Sequence, residues 1–258
     1  MAAQTEDATQ GPRKKASVPA VEKALDILEV LSSHRDGLTM NELVEALERS
    51  MGEIYRVVLY LVERDYLQQD PDTSRYSLTP RLFELAHRNP VTERMLNKAV
   101  PVLERIAAIT EQSCHLGVLN RANILILASV ASPRPAGYAV RTGAMFPALM
   151  TSTGMVVVAH SDPEAQNRFA GRAPADARDA IRKRLQDISL HGYDDSESQI
   201  VKGVRNLSAP VFDNRGVVGA ITCGHIDQSN MKTTAAETLE IIRENARQLS
   251  RALGWLGD

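Results

Sequence analysis

Six residues within twelve positions, Arg49, Ser50, Gly52, Glu53, Arg56 and Tyr60, carry the chemistry of a nucleic-acid contact. A guanidinium holds guanine O6 and N7 bidentately or a phosphate oxygen, and a hydroxyl or main-chain N–H also serves phosphate. Arg56 is the candidate base reader. Its alternatives are a phosphate contact or an i,i+3 pair with Glu53. Arg49 and Ser50 suit phosphate. Gly52 would let a phosphate or base edge approach the backbone, or else merely tolerates a tight turn. Tyr55 reads as core or flank. Farther along, Ser74 and Arg75 fall in a turn that could touch a phosphate.

A second group, Met150, Thr151, Ser152, Thr153 and Gly154, reads as a helix start, and Asn206, Ser208, Thr222 and Gly224 fall on a hairpin. Free N–H groups and the dipole at a helix start favour an anion. Small residues that only permit close packing are the alternative. Cys114-His115 and Cys223-Gly224-His225 would together offer two thiolates and two imidazoles to zinc. Neighbours on a strand point to opposite faces, so Cys114 and His115 do not both reach one ion, although Cys223 and His225 could. Buried thiols and a polar histidine are expected instead, with no metal and no cofactor. Cys114 with His191 or His225 as nucleophile and base is the rival, enzymatic reading. No local motif supports it, and no phosphate-binding Gly loop is present. No catalytic residue is therefore assigned. A dimeric adaptor that has lost DNA binding is the third class.

The first group needs a helix to present it. Thr39-Met40-Asn41-Glu42 and Ser50-Met51-Gly52-Glu53 both read S/T-x-x-E, the capping box, and start eleven residues apart. A helix from Met40 to about Leu47, a short turn and a helix from Met51 to about Asp65 make a helix-turn-helix. On the second helix Ile54, Val57, Val58, Leu61 and Val62 share one side, while Gly52, Arg56, Tyr60 and Glu63 share the other. A preceding helix spans about Pro19 to Ser33, with Val21, Ala24, Leu25, Leu28 and Leu31 at helical spacing. Tyr66–Gln69 and Arg75–Leu78 flank an Asp- and Pro-rich turn, so a winged helix-turn-helix is expected.

A helix then opens at Thr79-Pro80, with Pro80 at its first position, and carries Leu82, Phe83 and Leu85. Asn89-Pro90 reads as a break. A long helix from Val91 to about Gln112, interrupted or kinked at Pro101, leads into an α+β, sensor-like region. Its expected strands are Cys114–Leu119, Ile124–Val130, Val204–Phe212 and Val217–Cys223. Its expected helices are Thr151–His160, Pro174–His191 and Thr233–Leu253.

The chain has 258 residues, 43% hydrophobic and 24% charged, a globular balance. Two cysteines without a framework of spacings suit a reduced, cytoplasmic setting. No apolar run is long enough for a membrane span, and no secretory signal is read. Residues 1–17 read as a disordered tail. Residues 1–90 hold 11 Lys/Arg against 15 Asp/Glu, net −4, so DNA affinity must come from charge placement rather than bulk charge.

Taken in order, several stretches resemble the IclR-type transcriptional regulators from about Pro19 to Gly254. These are Ala24-Leu25-Asp26-Ile27-Leu28, Ile54-Tyr55-Arg56-Val57-Val58, Thr151-Ser152-Thr153-Gly154, Gly192-Tyr193, and Gly203-Val204-Arg205-Asn206-Leu207-Ser208-Ala209-Pro210-Val211. The resemblance implies a winged helix-turn-helix over 18–79, a linker helix over 80–91 and a GAF-like effector-binding domain over 92–258. It also implies a homodimer, or a tetramer built from dimers. The expected partners are a palindromic double-stranded DNA operator and a small-molecule effector, a carboxylate, with no membrane.

Overall fold

Thr39 does at its helix start what its type and spacing require. In the computed structural model, which describes residues 18–88 and 90–257, its N–H and hydroxyl both donate to the Glu42 carboxylate, at 2.7 and 2.9 Å. The Glu42 N–H returns a bond to the Thr39 hydroxyl at 3.3 Å. This closed box begins α2 (Met40–Leu47), and Glu48 in the left-handed region ends it. Helix α3 (Met51–Glu63) opens on Ser50, whose N–H and hydroxyl both donate to Glu53. The two helices pack with α1 (Pro19–Ser32) around Ile27, Leu31, Leu43, Ile54, Val58 and Leu61. Strands β1 (Leu67–Gln69) and β2 (Tyr76–Leu78) pair antiparallel, and Leu38 bridges to Tyr76 beside them. The result is a winged helix-turn-helix.

Three expectations shift here. Val21 and Leu25, expected in the α1 core, are 53% and 52% exposed, and Ile27 is buried instead. Apolar residues occupy most positions of α1, so periodicity alone does not settle its rotation. Tyr55, expected as core or flank, is 47% exposed. Pro80 caps α4 (Arg81–His87) instead of occupying its first position.

The chain divides into two compact units at the Asn89/Pro90 junction. Asn89 and the tail expected over 1–17 lie outside the described residues. The second unit begins with α5 (Pro90–Thr110), which continues through Pro101, where an interruption or kink was expected. Its sheet has the order β5-β4-β3-β8-β7-β6, antiparallel throughout. The strands are β3 (Ser113–Asn120), β4 (Asn123–Val130), β5 (Met145–Pro147), β6 (Asp194–Glu197), β7 (Arg205–Asp213) and β8 (Gly216–His225).

On one face α5 and α9 (Ala235–Leu253) bury Leu103, Ile106, Leu116, Leu207, Ile221, Ile242 and Leu249. The other face carries α6 (Ser152–Ala159), α7 (Pro163–Arg172) and α8 (Arg178–His191). Every residue of α6 is buried, and this requires Gly154. A Cβ there would lie 2.0 Å from the Ala148 carbonyl oxygen. The short β5 and β6 and the polar α7 were not read from sequence.

Candidate DNA-binding face and effector cleft

The outward face of α3 follows from its inward one. Ile54, Val58 and Leu61 take the core, which turns Gly52, Arg56, Tyr60 and Glu63 outward, all exposed. Arg56 makes no ion pair or hydrogen bond with any described residue, so its guanidinium is available. A Cβ on Gly52 would meet nothing within 4 Å, and its φ is not left-handed. Neither a tight turn nor internal packing requires glycine there. Tyr60 is held by Arg64, whose guanidinium donates to its hydroxyl at 2.8 Å. Met51, Tyr55 and Leu59 extend this face with exposed apolar surface.

The other candidates on this unit are already employed. Arg49 pairs with Asp26 at 2.7 Å. Glu53 holds Ser50 and sits 3.5 Å from Lys23. The Ser50 N–H bond, ahead of its hydroxyl, keeps the Glu53 carboxyl below its usual range. Arg75 forks onto both oxygens of Glu42 at 3.0 Å and donates to the Gly37 carbonyl at 2.9 Å. It thus ties the wing to the α2 capping box. Ser74, with φ +56°, is the exposed residue of the pair at the wing tip.

In the second unit the start of α6 meets β3, β7 and β8 in a cleft of about 410 Å³ counted out to its open mouth. Its walls include Ile124, Ile126, Val140, Phe146 and Ile200, and its polar lining includes His115, Tyr138, Thr151, Ser152, Thr153, Ser198, Asn206 and Thr222. Of the expected effector residues, Met150, Thr151, Ser152, Thr153, Asn206 and Thr222 line this cleft. Ser208 lies one layer behind, Gly154 packs on Ala148, and Gly224 faces Tyr138, where a Cβ would sit 3.0 Å from the ring. His115, Tyr138 and the apolar wall of β4 were missed. In the sequence His115 reads as a metal candidate or a polar histidine, and Tyr138 sits in an irregular segment without periodicity.

A chain of buried hydrogen bonds runs beneath the cleft. Ser152 meets Ser208 at 2.6 Å, Ser208 meets Thr222 at 2.7 Å, Thr222 meets Thr153 at 2.7 Å, and Thr153 meets His115 Nε2 at 3.1 Å. Burial lowers the His115 pKa to about 4, so the ring is neutral at pH 7. Four hydroxyl protons fill these four bonds only if every hydroxyl donates toward His115 and Nε2 accepts. In the opposite direction Nε2–H donates to Thr153, and the Ser152 hydroxyl is left to donate into the cleft it lines. The first direction leaves the ring proton on Nδ1. Nδ1 has no hydrogen-bond partner among the described residues.

The cysteines and the other histidines are apart from this cleft. Cys114 and Cys223 sit directly opposite on β3 and β8 in the α5/α9 core, and the Cys114 thiol donates to the Leu103 carbonyl. Its hydrogen bond with Cys114, and then burial, push the Cys223 thiol well above its ordinary range. His225 Nε2 meets Asp227 at 3.1 Å. His191 Nδ1 donates to the Asp187 carbonyl. Cys114 has no histidine partner among the described residues, and these hold no group of three side chains suited to a metal.

The family model of the bacterial transcriptional regulator IclR C-terminal region matches residues 91–251, and that of the IclR helix-turn-helix domain matches residues 20–71. The chain belongs to the IclR family of transcriptional regulators. It is 24% identical over 248 residues to the HTH-type transcriptional regulator KdgR of Escherichia coli (strain K12), covering 93% of this chain and 94% of that one. It is 25% identical to the glycerol operon regulatory protein of Streptomyces coelicolor, over 92% and 97% of the two chains. Among solved structures, an IclR homolog from Microbacterium hydrocarbonoxydans complexed with 4-hydroxybenzoate superposes with a TM-score of 0.79. It shares 21% identity over 91% of this chain and 98% of that one. HmgR of Pseudomonas aeruginosa gives 0.74 at 23% identity, over 92% and 100%. The relatives are regulators, not enzymes, and this regulator likewise binds DNA through its helix-turn-helix. No helix among the described residues is long and apolar enough to cross a membrane.

Proposed function

We propose that the regulator binds a palindromic operator as a homodimer, or as a tetramer of such dimers, and responds to a small organic acid. Residues 18–79 form the reading unit, 80–91 the linker and 92–258 the sensing unit, working in the cytoplasm. On DNA, Arg56 reads a base from the outer face of α3, with Gly52 and Tyr60 beside it, and Ser74 reaches a phosphate from the wing. Arg49, Ser50, Glu53 and Arg75 hold that surface in shape through the pairs described above. Two-fold symmetry would then set two related half-sites spaced by helical turns.

The observation that carries the sensing half is the convergence of neutral donors in an apolar cleft. The first turn of α6, Asn206 and His115 all line the cleft, and none of its lining residues is Lys, Arg, Asp or Glu. Preformed N–H donors at a helix start suit a carboxylate, and the apolar walls suit a compact carbon skeleton. The relative that holds 4-hydroxybenzoate fits this reading.

Thermal shift with benzoate and 4-hydroxybenzoate, each against its neutral amide, tests the proposal, with a gel shift on the regulator's own promoter region. Carboxylates should stabilise the second unit and change the gel shift, and Thr153→Val should abolish both effects. Stabilisation by the amides alone, or by sugars or cations but no carboxylate, would sink the organic-acid reading.

A further inference from the structure

A second cleft opens at the other end of β7. The effector cleft uses Asn206, whereas this one is floored by Pro210 and Phe212 and measures about 630 Å³ out to its open mouth. The C-terminal ends of α6 and α8 and the last turns of α9 wall it. Arg243 and Arg247 stand one turn apart on α9. The Arg243 guanidinium lies 5.0 Å over the Tyr193 ring and pairs with Glu240. Arg247 is exposed and has no ion pair or hydrogen bond among the described residues.

The opposite wall is aromatic. Phe212 and Trp255 stack at 5.1 Å with 18° between their planes, and His160 meets the Phe212 ring edge-on at 5.6 Å. His160 Nδ1 donates to the Val156 carbonyl at 2.8 Å, and His191 Nδ1 donates to the Asp187 carbonyl at 2.7 Å. A carbonyl only accepts, so each Nδ1 carries the ring proton. In the neutral ring Nε2 is then the lone pair, and neither Nε2 has a partner among the described residues. Helix C-termini repel anions, but here an imidazole N–H caps each of them, and the two guanidiniums set the sign of the cleft.

We propose that this cleft is a second ligand site, separate from the effector cleft, and that it takes a small aromatic anion. Arg247 meets the charge, the Phe212–Trp255 wall meets the ring, and a histidine Nε2 accepts from a hydroxyl on the ligand. Trp255 is the sole tryptophan of the chain, so its fluorescence reports on this cleft directly.

The test is a titration of the full chain with phenyl phosphate at constant ionic strength, read by that fluorescence. A saturable change is expected, at least tenfold tighter than with inorganic phosphate, at least tenfold weaker in Arg247→Ala and unchanged in Thr153→Val. The site is overturned by the absence of saturation, by an undiminished response in Arg247→Ala, or by loss of the response in Thr153→Val. Equal affinity for inorganic phosphate overturns the aromatic ligand class.

Discussion

Gly52→Ala separates what glycine costs the fold from what it offers DNA. The residue is the second of α3, it is exposed, and an added Cβ would meet nothing within 4 Å. Alanine in a helix interior is better than glycine by roughly 1 kcal/mol, and a first-turn position should return about half of that. For a unit of this size, about 0.5 kcal/mol raises the melting temperature by roughly 2–4 °C. Binding should move the other way. A methyl group inserted where a phosphate or base edge packs against the backbone costs on the order of 1–3 kcal/mol, tenfold or more in affinity. Calorimetry of the first unit's transition and operator titration by fluorescence anisotropy, at matched salt, read the two effects separately. An operator affinity equal to or better than the parent's would refute the close approach, whatever the melting temperature did. A lower melting temperature would refute the account of the free side.

Arg56→Ala should cost roughly 1–3 kcal/mol of operator binding and relax preference at one base position, whereas loss of a phosphate contact would weaken all sequences alike. A binding-site selection on parent and variant distinguishes these, and unchanged affinity would remove Arg56 from the interface. Arg75→Ala should lower the melting temperature of the first unit by up to about 1 kcal/mol equivalent, the size of a partly exposed ion pair, without changing base preference; a changed preference would place Arg75 on the DNA instead. His115 binds a proton only near pH 4 when folded, whereas the unfolded chain binds it near 6.5. The unfolded state thus holds more protons between those values, and stability from this group is complete above pH 6.5 and lost as pH falls through 4. The span corresponds to about 3 kcal/mol. Burial lowers His160 in the same direction, so the measurement is the difference in acid slope between the parent and His115→Gln; equal slopes would contradict the assignment. Nitrogen chemical shifts should show His115 protonated at Nδ1, and an Nε2–H form would reverse the hydroxyl chain and remove the N–H donor proposed for the cleft.

The helix-turn-helix was legible because its information is local. Both capping boxes lie within four residues, and the core face of α3 follows from spacing within one helix. The rotation of α1 was not legible, because Val21, Leu25 and Ile27 are equally apolar and only packing against α2 and α3 chooses among them. The effector cleft was half legible for the same reason. Thr151–Gly154 announces a helix start, and Asn206 and Thr222 announce polar positions on strands. The bond chain joins Ser152 to Ser208 across 56 positions and Thr153 to Thr222 across 69, and no local pattern encodes such a pairing. His115 escaped because a histidine next to a cysteine suggests a metal, while strand alternation sends the two side chains to opposite faces of β3. Its role depends on burial, and burial is a property of the folded sheet.

The two binding surfaces also differ in what holds the ligand, and this difference has a physical consequence. On α3 an unpaired guanidinium faces outward in a unit whose bulk charge is negative, so on the proposed reading affinity for DNA would rest on few phosphate contacts and on counterion release. Its salt dependence should be shallow for a DNA-binding protein but still present. The effector cleft contains no lining residue with a formal charge. An anion proposed to bind there would be held by oriented N–H dipoles, which the fold fixes before the ligand arrives. Such an arrangement pays little reorganisation on binding, and its short-range field is barely screened within a Debye length of about 8 Å. A ligand effect on DNA affinity therefore persists across salt concentrations that weaken the DNA contact itself. It persists because the free energy separating the liganded and free arrangements is set inside a partly desolvated cleft.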